Sequence, residues 1–175
     1  MKSLLEHLSQ YAYYHQDRRN VATHFIGIPM IVLAIAILLS RPNFSVFDVP
    51  LTPAIMAVVL SSVFYLSLHF LIGLAMSCLL ILCLLIADYL AEQTTVEWLV
   101  SGLGLFVVGW TFQFIGHYFE GKKPAFLADV IGLIVGPLFV FVELLFVLGA
   151  KGEWKKQIEQ FCDLKNLEND KTDGL

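Results

Sequence analysis

The sequence predicts an all-α membrane protein: a polytopic helical bundle of four spans, with a further apolar segment that is either broken and re-entrant or a kinked fifth crossing, and amphipathic helices at both termini. Two observations carry this. Of 175 residues, 58% are hydrophobic and only 15% charged, against about 25% charged in soluble domains. So short a chain cannot build a soluble core that hides this apolar surface. The apolar residues also fall in long runs, and the one from Pro53 to Leu90 extends over 38 residues. At about 1.5 Å per residue across a hydrocarbon layer of about 30 Å, that is two crossings. The whole of 1–175 reads as a single membrane domain.

In chain order, residues 2–16 read as an amphipathic helix, with Leu4, Leu5, Leu8, Tyr11 and Ala12 at spacings of three and four. His7 falls on its solvated side. Span one covers about 21–40 and ends at Arg41-Pro42-Asn43, followed by a loop to about Leu51. Spans two and three, about 52–69 and 73–90, turn near His69 to Gly73. Asp88 to Glu97 is polar and forms the next loop, and span four covers about 96–117. Gly102 and Gly104 within it suit helix contact. Gly121-Lys122-Lys123-Pro124 is a basic turn. Residues 126–149 are apolar but carry Gly132, Gly136 and Pro137 mid-segment, so a re-entrant hairpin broken at Gly136-Pro137 is preferred to a fifth crossing. Residues 151–167 form a second amphipathic helix before a frayed tail.

Charge supports this topology. Four spans put Lys2, Arg18, Arg19, Lys122 and Lys123 on the cytoplasmic side with Arg41 alone outside. The hairpin keeps the lysines of the tail inside as well, whereas a fifth crossing puts them outside. The net charge of −4 gives no reason to expect nucleic acid. Cys78, Cys83 and Cys162 read as free thiols, and no cleavable signal peptide is read in the first 20 residues.

The same topology brings His15, His24 and His117 to one membrane depth on one face. Imidazole suits iron, zinc and copper, and ionisable groups at membrane depth are costly enough to imply function. Three solvated headgroup-layer histidines are the alternative. Glu120 shares a helix face with His117 at i, i+3, as a ligand, an orienting carboxylate or part of a helix-end hydrogen-bond network. Gln113 stands one turn before His117. His69 is either a turn residue or a fourth ligand, and Tyr14 and Asn20 are weaker candidates.

These residues lie in recognisable strings: Tyr14-His15, Asn20, His24 and Gly27-Ile28-Pro29, then Gly109-Trp110, Gln113-Phe114-Ile115-Gly116-His117, Phe119-Glu120 and Pro124-Ala125. Over roughly residues 5–160 the chain resembles the Mpo1-like family, formerly domain of unknown function 962. The resemblance implies an iron(II)-dependent dioxygenase of fatty-acid α-oxidation that converts a 2-hydroxy fatty acid and O₂ to an acid one carbon shorter. It implies Fe²⁺ as cofactor and His15, His24 and His117 as ligands; the helix-face pairing with His117 adds Glu120 to the expected catalytic set. His69 has no counterpart in the pattern. Gln113, Lys122 and Lys123 are candidates for contact with the substrate, although topology alone accounts for the lysines. The expected partners are the fatty acid, O₂ and membrane lipid. The expected place is a bacterial inner membrane or the endoplasmic reticulum, with the site facing the cytoplasm. The competing function is a non-catalytic lipid-binding scaffold or transporter with structural histidines. A zinc hydrolase using Glu120 as base is a further alternative. A di-iron hydroxylase fits poorly, since such sites need about eight histidines and this chain has five.

Overall fold

The computed structural model describes residues 2–46, 49–121, 131–150 and 152–173. Among these are seven helices: α1 (Leu4–Tyr13), α2 (Arg18–Ser40), α3 (Pro53–Leu68), α4 (Phe70–Ala91), α5 (Thr95–Glu120), α6 (Ile131–Val147) and α7 (Glu153–Asp173). Three are long and apolar enough to cross a membrane, namely α2, α4 and α5, while α3 and α6 are shorter apolar helices. The four-span count therefore rests on α3, whose 16 residues fall short of the usual 20 or so. Phe70, Leu71, Leu82 and Leu85 are exposed along α4, a surface that lipid accommodates and water does not.

Two compact units are distinguishable, Met1–Ala22 with Ile115–Leu175, and Thr23–Phe114. The division passes inside α2 and α5 without interrupting either helix.

In the first unit, α1 packs on α6 and on α7. Ser3 and Glu6 close a capping box at its start: the Glu6 amide donates to Ser3 Oγ at 3.2 Å and the Ser3 amide to Glu6 Oε2 at 2.6 Å. His7, expected to be solvated, is buried with Leu8 and Tyr11. Cover from two helices explains the difference, because α1 has little free face left. α6 buries Val135, Leu138, Phe139, Val142 and Phe146, a helical stripe facing α1. It runs unbroken through Gly136 and Pro137, so the hairpin break expected there is absent. One missing amide in a helix interior costs about 3 kcal/mol, which burial of five large apolar side chains at about 1.5–3 kcal/mol each outweighs. α7 continues to Asp173, past the expected end at 167. Pairs at helical spacing, Lys156–Glu153, Lys155–Glu159 and Lys165–Glu168, run along it. Lys122, Lys123 and residues 126–130 of the expected broken segment lie outside the described residues.

In the second unit, α3 and α4 form a helical hairpin with one residue between them, His69. His69 is extended; its amide bonds Tyr65 O at 3.1 Å and its Nδ1 accepts from the Ile72 amide at 3.3 Å. It closes α3 and opens α4, which is the turn role. The expected loop after α2 contains a small antiparallel hairpin, β1 (Phe44–Val46) and β2 (Val49–Leu51), in register Phe44 with Leu51. The loop expected over 88–97 shrinks to Glu92–Thr94, because Thr94 and Glu97 cap α5: the Glu97 amide donates to Thr94 Oγ1 at 3.3 Å and the Thr94 amide to Glu97 Oε2 at 3.0 Å. Ala36, Ile37 and Ala87 form a buried cluster against Leu33, Leu90, Trp98 and Leu105. Trp98 Nε1 donates to Ile37 O at 2.8 Å, and the Arg41 guanidinium lies 4.9 Å from the Trp98 ring centre.

The α2 and α5 backbones come close at Gly27 and Gly109. A Cβ on Gly109 would lie 2.9 Å from Gly27 O, and one on Gly27 would lie 2.7 Å from Gly109 O. Gly102 sits similarly against Leu38, whereas Gly104 faces open space. Gly109→Ala should therefore destabilise by about 1–3 kcal/mol, and Gly104→Ala should be neutral or stabilising by up to about 1 kcal/mol. Thermal unfolding of the two variants in detergent checks the contrast.

Candidate metal centre

The residues between α1 and α2 set the site. α1 was expected to continue to residue 16 but ends at Tyr13. The amides that would have prolonged it point elsewhere. Gln16 N donates to Glu120 Oε1 at 3.0 Å, and Asp17 N to Glu120 Oε2 at 2.9 Å. Asn20 Nδ2 adds a third bond to Oε2 at 3.0 Å. Asp17 opens α2: its Oδ1 accepts from the Arg19 amide at 2.8 Å, an N-cap contact. The Arg19 guanidinium closes on the same carboxylate at 2.7 Å, and hydrogen bonds from the Arg19 side chain and then its amide hold the Asp17 carboxyl down to about 2. Gly121, at φ 69°, ends α5 immediately after Glu120. That left-handed conformation suits glycine.

With the connection fixed in this way, His15 lies against α5. Its ring centre is 5.1 Å from that of His117, with the planes at 67°. Tyr11 stacks on His15 at 4.1 Å, and Phe139 of α6 lies 6.0 Å away. Burial pushes the Tyr11 phenol well above its ordinary value, so it stays neutral. His24 follows Asn20 by one turn of α2, and i, i+4 residues share a face. His15, His24 and His117 are all buried, at 4%, 1% and 7% exposure, and Asn20 is fully enclosed.

Each of these three histidines offers one ring nitrogen within 4.8 Å of the other two. Two nitrogens on one ion, at roughly 2.1 Å each, are separated by at most about 4.2 Å. Side-chain adjustment of less than about 1 Å brings the set onto a common cation. The tautomer also fits. His15 Nδ1 lies 2.7 Å from Tyr11 O; a carbonyl only accepts, so Nδ1 carries the proton. In the neutral ring this leaves the lone pair on Nε2, as ligation requires. The donor set is three buried imidazoles able to hold a transition metal. His69 is not part of it, being engaged at the α3–α4 turn. Glu120 has both oxygens turned to the residue 16–20 connection. Gln113 is 5% exposed on α5, one turn before His117. The backbone partners of Glu120 are what the sequence does not announce, since every residue carries an amide.

Truncating Glu120 to alanine should leave the Gln16 and Asp17 amides and the Asn20 carboxamide without their acceptor. We expect Glu120→Ala to lower metal affinity about tenfold to a hundredfold and Glu120→Gln to lower it less. Metal titration of purified variants checks the order.

Comparisons with known proteins identify the family. The model of a family described as 2-hydroxy-palmitic acid dioxygenase Mpo1-like matches residues 1–148. The chain is 33% identical over 165 residues to the 2-hydroxy-palmitic acid dioxygenase MPO1 of Saccharomyces cerevisiae, covering 93% of this chain and 91% of that protein. No solved structure matches.

Proposed function

This chain belongs to the Mpo1-like family, and on that premise we propose that it is an iron(II)-dependent membrane dioxygenase acting on 2-hydroxy fatty acids. The observation that carries the reading is the buried group His15, His24 and His117. The reaction balances without a further reductant: a 2-hydroxy acid and O₂ yield an acid one carbon shorter, CO₂ and water. All four electrons come from the substrate, so neither flavin nor nicotinamide is required.

His15, His24 and His117 would hold the metal. Iron(II) supplies the one-electron reactivity toward O₂ that a closed-shell hydroxy acid lacks. The chain's own residues do the rest. Tyr11 O fixes the His15 tautomer through the 2.7 Å hydrogen bond. Tyr11 and Phe139 wall the His15 ring with apolar surface, which keeps bulk water from the reacting centre. Glu120 acts as a positioning residue, holding the connection that presents His15. A site built from three protein ligands would leave the ion open to substrate. Lys122 and Lys123 follow Glu120 after the single residue Gly121 and suit attraction of a carboxylate from the headgroup layer. Four crossings, with α3 as the short one, put this end of α5 on the cytoplasmic side, in agreement with the positive-inside rule.

Iron-loaded, detergent-purified protein given 2-hydroxypalmitic acid should consume one O₂ for each CO₂ released, and zinc-loaded protein should consume none. His15→Ala, His24→Ala and His117→Ala should each lose bound iron and at least about a hundredfold in turnover. Protein that purifies without stoichiometric metal, with unchanged turnover in His117→Ala, defeats the reading, and protein with neither metal nor turnover favours a lipid-binding scaffold.

A further inference from the structure

Gln113 is buried to 5% exposure, and among the described residues its Nε2 has no hydrogen-bond partner. It is a carboxamide in the middle of an apolar helix, where an unsatisfied donor costs several kcal/mol. Its position is specific. A Cβ on Gly27 would lie 2.5 Å from Gln113 Nε2, so the donor occupies the space that the missing side chain of Gly27 leaves on α2. Gly27 follows His24 by three residues on α2, and Gln113 precedes His117 by four on α5. Both therefore lie one turn, about 5.4 Å, from a histidine of the site, and on the side toward the middle of each helix. An acyl chain leaving the histidines for the hydrocarbon layer runs in that direction. The first substrate group met there is the one between carboxylate and chain, the hydroxyl on C2.

We infer that the Gln113 carboxamide donates a hydrogen bond to the 2-hydroxyl oxygen of the substrate and so selects 2-hydroxy acids over plain fatty acids. The inference rests on the dioxygenase reading and adds the residue that discriminates. Sites built around a hydrogen bond to a substrate hydroxyl reject analogues lacking it, because the donor is then left buried and unpaired. Gly27 is a positioning residue in this scheme, since any side chain there would displace the carboxamide.

Anaerobic binding of 2-hydroxypalmitic acid and of palmitic acid to iron(II)-loaded protein tests this, with iron content measured in each sample. Wild type should prefer the 2-hydroxy acid by at least about tenfold. Gln113→Met keeps the volume and removes the donor; it should retain iron and lower the preference several-fold. Gln113→Asn withdraws the amide by one methylene and should give an intermediate ratio, and it carries the test if the methionine variant does not fold. A wild-type preference that persists unchanged in iron-loaded Gln113→Met or Gln113→Asn overturns the role of Gln113 alone. No preference in iron-loaded wild type overturns the dioxygenase reading beneath it.

Discussion

Three hydrogen-bond donors from the connection between α1 and α2 converge on one carboxylate, that of Glu120, and the geometry of the histidines follows from this. A carboxylate at the last residue of a helix is unfavourable for that helix, whose C-terminus already carries partial negative charge. Glu120 is compensated by another helix. The amides of Gln16 and Asp17 precede the first turn of α2, where partial positive charge gathers, and Asn20 lies within that turn. The charge that α5 tolerates poorly is the one the start of α2 accepts. As a result α1 stops at Tyr13, and His15 is presented to His117 instead of continuing a helix.

Around this polar knot the surroundings are apolar. Tyr11 and Phe139 close on His15, and α6 contributes a stripe of large hydrophobic side chains. The neutral form of an imidazole is the one that binds metal. The apolar faces of α3, α4 and α5 that remain exposed would be covered by lipid. The lipid that solvates the protein is of the same chemical kind as the acyl chain of the proposed substrate, so the substrate need not leave the membrane to reach the site.

Much of this was legible in the sequence, and the parts that were not share a cause. The apolar runs identified α2, α4 and α5 because hydropathy over about 20 residues is a local property. The three histidines could be grouped because span ends share a membrane depth. Tertiary partners were not readable. His7 looked solvated because the sequence does not show that α6 and α7 both cover α1. The Gly136-Pro137 pair looked like a break because local rules do not include the burial that carries α6 through it. Of the two small residues singled out in α5 for helix contact, Gly102 meets Leu38 and Gly104 meets nothing, while Gly109, whose missing side chain lets the Gly27 carbonyl of α2 come near, was read only as part of a motif string. The target of Glu120 was hidden for a different reason, because two of its three donors are main-chain amides.

The family match and the geometry bear on different properties. Similarity over 93% of the chain to a yeast 2-hydroxy-palmitic acid dioxygenase concerns the residues, and the 4.8 Å grouping of three ring nitrogens concerns their placement. Iron K-edge X-ray absorption on iron(II)-loaded protein in detergent bears most directly on whether those imidazoles share an ion. The expected spectrum shows multiple scattering from three imidazoles at one iron, and each single histidine variant loses that iron together with its imidazole scattering. A spectrum without imidazole scattering, or one that is identical in wild type and His24→Ala, contradicts a shared site.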